Sequence, residues 1–343
     1  MYALFFNGEG EVMKIIKPSY FDTFRCIAGD CTDSCCKEWD VQVDDTAAEF
    51  YLQLPGELGD RLRQVLKEEN GEMVMTIVDG RCPMWREDGL CRIQAALGHE
   101  ALCKTCREFP RLTHDFGDFQ ELGLELSCPE AARLILRNPD FSYITEEKDG
   151  GEEPEYDQQA MEDLLRSREI AREILRDSQR PVNEVLALLL MYGYQAQGEL
   201  DGEEVLDFDP EGALETARNF AGQGSEQLML DFFKDLEILA PEWAERLNHP
   251  QRASWSREHL TLARYFVDRY WLQAVADYDL VSRVKLAVIS CLTIRLLGGN
   301  LEETAQRYSK EIENDVDNID AILDGAYENA AFTDDKLLGL LLR

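Results

Sequence analysis

Basic side chains are scarce in this chain. Thirty-five lysines and arginines face 68 aspartates and glutamates, a formal net charge of −33 over 343 residues. A surface of that sign repels nucleic acid and anionic membranes at a distance and attracts basic partners, so a lysine-presenting polypeptide is compatible with it and nucleic acid is not expected. No apolar run approaches the roughly 18 residues that a membrane span needs, so no membrane partner is expected either. Met1–Phe6 is apolar but short, lacks the basic leader and cleavage site of a secretory signal, and is followed at once by Glu9 and Glu11. Cytoplasmic residence is the expectation. Met13 opens a natural start, MKIIKPSYFDTFRC, which makes residues 1–12 read as an upstream extension. Also missing are a G-x-G-x-G turn behind a clear strand and a GxxxxGK[ST] loop, which removes the ordinary nucleotide-binding units. Cysteine is nearly absent outside one segment: nine of ten lie between Cys26 and Cys128, and Cys291 stands apart.

That segment carries the strongest signal. A reducing compartment disfavours disulfides, so dense cysteines point to metal. The spacing is Cys26-x4-Cys31-x3-Cys35-Cys36, then Cys82-x8-Cys91-x11-Cys103-x2-Cys106-x21-Cys128. The first group lies among Gly, Asp, Thr and Ser, a composition that suits a loop wrapped around a metal. Four thiolates close a tetrahedral zinc site or the corners of a cubane. All nine are therefore expected metal ligands, in one centre or two, with a 4Fe-4S iron–sulfur cluster preferred and zinc the alternative. Adjacent Cys35 and Cys36 cannot easily face one metal together. Cys291, in VISCLTI on an apolar helix, reads as a buried free thiol. His99 and His114 are the histidines near the cluster and read as packing or surface groups. The CxxxCxxC triplet of radical enzymes is absent, since Glu38 stands where its third cysteine would fall.

The pattern predicts an α+β chain, with a small mixed cysteine-rich metal-binding domain over 13–145, an acidic linker over 146–156 and a mainly α-helical domain over 157–343. Asp44, Asp45 and Thr46 predict the start of a helix over 46–67 that Pro55 and Gly56 split. Strands are expected at 73–78 and within 116–126, and a helix at 129–137. Beyond the linker, helices are expected near 157–176, 181–196, 210–220, 224–237, 256–275, 278–298, 301–323 and 333–342. The one at 278–298 is apolar on most faces and should be central, although Arg283 and Lys285 interrupt it and call for a buried partner or a cosubstrate contact.

Three stretches, KPSYFDTFRCIAGDCTDSCCKEWDVQVD, CPMW…CRIQ and CKTCREFPR followed by CPE, resemble the flagellin lysine-N-methylase family, within a wider group named for a CxxxxCxxxCC-like cysteine cluster. Tyr20, Phe24, Arg25, Trp39, Arg107, Phe109, Pro110 and Arg111 sit in phrases typical of the family, as does YSKEIENDVDNID at 308–320. The resemblance implies methyl transfer from S-adenosylmethionine to lysine side-chain amines of flagellin, in a protein whose cysteines hold an iron–sulfur cluster. Polar transfer needs a deprotonated amine, a group to take its proton, and a cavity that aligns amine and donor. Tyr308, Glu311 and Glu313 are the candidate catalytic groups, against the plainer reading of an acidic solvated helix face. Arg107 and Arg111 could bind the carboxylate of the cosubstrate or screen the thiolates. Trp39 could stack on adenine or, like Trp85, pack over the cluster. The rival readings are a zinc- or iron-binding interaction protein without catalysis, and a redox sensor.

Overall fold

The computed structural model describes residues 12–343 apart from Asp40 and Asn70. The expectation of an extension over 1–12 therefore falls, Val12 aside, outside the described residues. Strand β1 (Val12–Pro18) opens the described chain, and β2 (Val41–Val43) follows the first cysteines. Asp44 then accepts the Ala47 N–H at 3.1 Å and caps α1 (Asp45–Gln53). The Leu54–Pro55 step ends that helix, and α2 (Gly56–Val65) starts behind it. The join is tight: a Cβ on Gly59 would lie 1.8 Å from the Leu54 carbonyl oxygen, so only glycine fits there. Strands β3 (Leu66–Glu69) and β4 (Glu72–Met75) complete an antiparallel sheet of order β2-β4-β3.

Short helices α3 (Arg92–Leu97) and α4 (Lys104–Glu108) carry the later cysteines. Hairpin strands β5 (Arg111–Asp115) and β6 (Phe119–Leu124) follow, then α5 (Pro129–Leu136) and β7 (Tyr143–Asp149). The second sheet has order β5-β6-β1-β7, with β1 parallel to β6 and antiparallel to β7. Residues 146–149, acidic and unremarkable as sequence, thus pair with Val12–Ile15.

The rest is helical: α6 (Gln158–Leu175), α7 (Val182–Leu200), α8 (Pro210–Phe220), α9 (Glu226–Asp235), α10 (Pro241–Asn248), α11 (Glu258–Tyr270), α12 (Leu280–Leu297), α13 (Leu301–Ile312), α14 (Val316–Glu328) and α15 (Asp334–Leu342). Every residue of α12 but Arg295 is buried, and α7, α11 and α14 pack around it. The two charges that interrupt its apolar run are matched. Lys285 donates to the Ala326 and Phe332 carbonyls and pairs with Asp334 at 2.8 Å, while Arg283 pairs with Asp277. The helix expected over 301–323 is broken between α13 and α14, where Asp315 caps the second segment, and α10 was not foreseen.

Two apolar cores result. The larger joins the helices to Phe119, Leu124, Leu126 and Cys128; the smaller gathers Val41, Val43, Tyr51, Leu62, Met75, Met84, Ile93, Cys82 and Cys103. The mixed α+β architecture with a mainly helical C-terminal part is observed. Among the described residues no helix is long and apolar enough to cross a membrane.

Candidate functional site

The thiols are the first correction. Among the described residues, no group of three or more cysteine, histidine, aspartate or glutamate side chains is placed to hold a metal ion. The expected metal-binding domain, with an iron–sulfur cluster or zinc on Cys26, Cys31, Cys35, Cys36, Cys82, Cys91, Cys103, Cys106 and Cys128, is overturned. These nine are free thiols in differing surroundings. Cys26 and Cys35 are exposed; Cys82 and Cys103 lie in the smaller core and Cys128 in the larger. They satisfy one another or nearby groups, with no three placed to hold an ion among the described residues. Cys103 pairs with Cys106, Cys36 bridges Cys35 and Cys82, and the Cys82 Sγ donates to Met75 Sδ at 3.3 Å. Burial pushes the Cys128 thiol up to about 12, as expected of a thiol packed like a small hydrophobe. Cys291, fully buried in α12, fits the free-thiol reading.

What binds the first cysteine loop to the helices is charge. From α13, Lys310 reaches Asp33 at 3.0 Å and Glu38 at 3.1 Å, Arg307 reaches Glu38 at 2.8 Å, and Gln306 donates to Asp33 at 3.0 Å. Asp33 is buried, which alone would raise its carboxyl, yet Lys310 and Arg307 hold it at about 2. Glu38 has a positive φ of 71°, a conformation that costs energy in any residue but glycine. The ion pairs fix that turn and so aim Trp39, whose indole N–H donates to the Cys35 carbonyl at 2.9 Å.

Trp39 forms one wall of a cleft of ≈ 270 Å³, shared with Thr105, Glu108, Phe109, Arg111, Glu125, Glu313 and Asn314. Trp39 and Phe109 make an aromatic side, their ring centroids 6.1 Å apart. Opposite stand two carboxylates brought from far apart in the chain. Glu313 follows α13, and its side chain is shut off from solvent. Glu125 follows β6, where its backbone N–H donates to the Pro110 carbonyl at 2.8 Å. Arg269 of α11 lies behind both, 3.3 Å from Glu313 and 3.2 Å from Glu125. Tyr270 donates to Glu313 at 2.8 Å and Tyr265 at 3.1 Å, and Arg269 donates to the Tyr265 hydroxyl at 2.6 Å. Burial pushes both tyrosines well above the ordinary phenol range, so they remain donors. Burial also raises the Glu125 carboxyl, and Arg269 offsets only part of that.

One guanidinium thus serves two buried carboxylates, and Glu108 stands on the rim with Arg111, which lies over the Phe24 ring. Three carboxylates against two guanidiniums leave the cleft one negative charge in excess. Desolvated excess charge seeks a counter-charge, and the opening is where one can enter. The arrangement can hold a primary ammonium against Glu125 and an aromatic face, with the closed-off Glu313 adding to the negative field.

Of the residues singled out from sequence, Trp39, Arg111 and Glu313 meet here. Tyr308 and Glu311 do not line this cleft. The Tyr308 hydroxyl meets Ser290 at 2.8 Å among Phe233, Trp243 and Phe266, and Glu311 accepts the Leu239 N–H at 2.8 Å. Arg107 sits on α4 without lining the cleft. Glu125, Tyr265, Arg269 and Tyr270 went unnoticed in the sequence. A charged residue inside the aromatic run ARYFVDRYW was the available signal for Arg269.

Fold and cleft together define a mixed α+β protein with a cation-seeking acidic site. No family model matches the chain, and no solved structure does. The flagellar biosynthetic protein FliU of Salmonella muenchen is 35% identical over 141 residues, covering 39% of this chain and 83% of that protein. Lysine-N-methylases of Salmonella typhimurium and Salmonella choleraesuis are each 34% identical over 139 residues, 38% of this chain. The chain belongs to the family of the FliU protein, and it spans 35% of the length of the two lysine-N-methylases it matches.

Proposed function

We propose that this protein N-methylates lysine side chains of a flagellar polypeptide, with the cleft between Trp39, Glu125 and Glu313 receiving the lysine amine. The observation that carries the reading is a pair of carboxylates on one arginine at an aromatic-walled cleft of ≈ 270 Å³, with Glu125 partly exposed and Glu313 closed off from solvent. A lysine arrives as an ammonium, which the excess negative charge attracts, and must lose a proton before nitrogen can attack. Glu313, closed off from solvent and held by two tyrosines and Arg269, fixes that arginine and with it the position of Glu125. Glu125, whose carboxyl is raised by burial, is the group suited to take the proton. The amine lone pair then forms the N–C bond as the methyl carbon leaves its donor with the bonding electrons remaining on the donor. Similarity to proteins named lysine-N-methylase and flagellar biosynthetic protein supports both the reaction and the partner.

The test is incubation of the purified chain with flagellin and methyl-labelled S-adenosylmethionine, followed by mass spectrometry of the lysines. Methylated lysine is expected from the wild type, and a loss of about a hundredfold or more from Glu125→Gln. Glu313→Gln should raise KM for the polypeptide most. Full activity in both variants would remove the cleft from the reaction.

A further inference from the structure

A second cleft, on the thiol-rich side of the molecule, has the opposite sign. It has a volume of ≈ 370 Å³ and is lined by Glu57, Leu58 and Arg61 of α2, Arg86, and Arg92, Ala95 and Ala96 of α3. Three guanidiniums share it with one carboxylate, in a chain with 68 acidic residues and only 35 basic ones. Several arginines elsewhere are matched, among them Arg168 with Glu121, Arg172 with Asp268 and Arg307 with Glu38. Here Arg86 is held at one rim by Asp88 at 2.5 Å, but Arg61 and Arg92 have no ion pair among the described residues. The Nε of Arg92 is shut off from water and has no hydrogen-bond partner among the described residues, a property it shares with the Nε of Arg168, Arg264, Arg283 and Arg295. Three like charges repel one another, and Glu57 at i−4 from Arg61 does not close on it. Ala95 and Ala96 line the cleft as exposed residues with only a methyl group each, so α3 adds no bulk there beyond Arg92.

We infer that this cleft is an oxyanion site, taking a phosphate or carboxylate group between Arg61, Arg86 and Arg92. The planar fork of a guanidinium matches either group with two parallel hydrogen bonds. Nothing in the acidic lysine cleft is shared with it, so the two assignments stand or fall separately. The overall charge of −33 makes the prediction a demanding one, because the far field of the protein repels anions and unspecific uptake is disfavoured.

The experiment is calorimetric titration of the full chain at low ionic strength with inorganic phosphate in one arm and a triglutamate peptide in the other. Saturable binding is expected in at least one arm, and the tighter arm names the source, phosphate or carboxylate. Arg92→Gln and Arg61→Gln should each weaken it by about tenfold or more, as losing one charge-assisted bond does, while Arg176→Gln leaves it unchanged. Arg61 is exposed, so its variant folds even where Arg92→Gln does not. Absence of saturation in both arms, or affinity untouched by Arg61→Gln and Arg92→Gln, would overturn the assignment.

Discussion

The two cores of this molecule are held by different forces. The larger is built by apolar burial: α12 is enclosed on nearly every side, and Phe233, Trp243, Phe266, Trp271 and Phe332 are almost entirely inside. Gly193 lets α7 come so close to α12 that a Cβ would meet Val284 at 2.7 Å. The smaller core has short helices, a three-stranded sheet and several sulfur-bearing side chains. A small core buries less surface per residue and depends more on additional ties. Its ties are the mutual thiol contacts, the capping carboxylate of Asp44 and the ion pairs to α13. The comparison teaches that the lysine cleft draws on both kinds of structure: Trp39, just before β2, with Thr105 and Glu108 of α4 from the loosely tied side, and Phe109 with Glu313 and its arginine from the side of the larger core. A polar seam between them places the walls, so damage to the seam should act on the cleft before it acts on the helices.

Removing Lys310 should break the comparison most sharply. Lys310→Met leaves Asp33 and Glu38 buried with only part of their positive charge, and breaking a buried pair costs about 3–5 kcal/mol. Amide exchange should speed up over residues 26–106 while α7 and α12 keep their protection. Equal loss in both regions would show one cooperative unit. The acid limb gives a signed check. Asp33 is held at about 2 against an ordinary 3.8, so its contribution is complete above the ordinary value and is lost as pH falls through about 2. The gap between wild type and variant should therefore narrow over that interval.

Glu311 tests the rigid side with the opposite sign. Burial raises its carboxyl to about 7, Leu239 supplies one backbone donor, and its second oxygen has no partner among the described residues. The folded chain then keeps a proton that the unfolded chain has released, so stability falls as pH rises from the usual glutamate range through about 7. Glu311→Gln should remove that decline, a relative gain on the order of 3 kcal/mol in alkaline solution. Denaturant midpoints at acidic and alkaline pH decide it, and parallel profiles for the two proteins would refute the assignment.

Much of the rigid side could be read before any coordinates. Residues 210–220 form α8 as expected, and the all-round apolar character of 278–298 placed α12 at the centre, because both signals are local periodicity. The strand over Tyr143–Asp149 was hidden, since an acidic run becomes a strand only through its pairing with β1. The thiol-rich side shows the other limit. Spacing reveals how many sulfurs a segment has, yet whether they converge is decided by tertiary packing, and here Cys128 went to a different core from Cys82 and Cys103. In the cleft, Glu313 and Trp39 stood out by their neighbours in sequence. Glu125 and Arg269 meet across 144 residues, a distance over which no local pattern speaks.

The smallest effect is expected at Asp44, and it bears most directly on whether the thiol-rich side stands by itself. Its two carboxylate oxygens do separate jobs: one accepts the Ala47 N–H at 3.1 Å and caps α1, the other accepts the Lys104 N–H at 2.7 Å and holds the start of α4. The Lys104 contact is the chief reason its carboxyl lies below the usual range, with the Ala47 contact adding to it. Asp44→Ala should therefore cost about 1–2 kcal/mol, more than an ordinary cap on one helix alone. Asp44→Asn keeps one acceptor and should cost about half as much. Because α4 carries Thr105, Glu108 and Phe109 into the lysine cleft, the alanine variant should also weaken binding of a lysine peptide while α6 and α7 keep their exchange rates. Loss of protection in those helices would mean that a capping bond in the small core stabilises the whole molecule, and the two-region picture would give way to one.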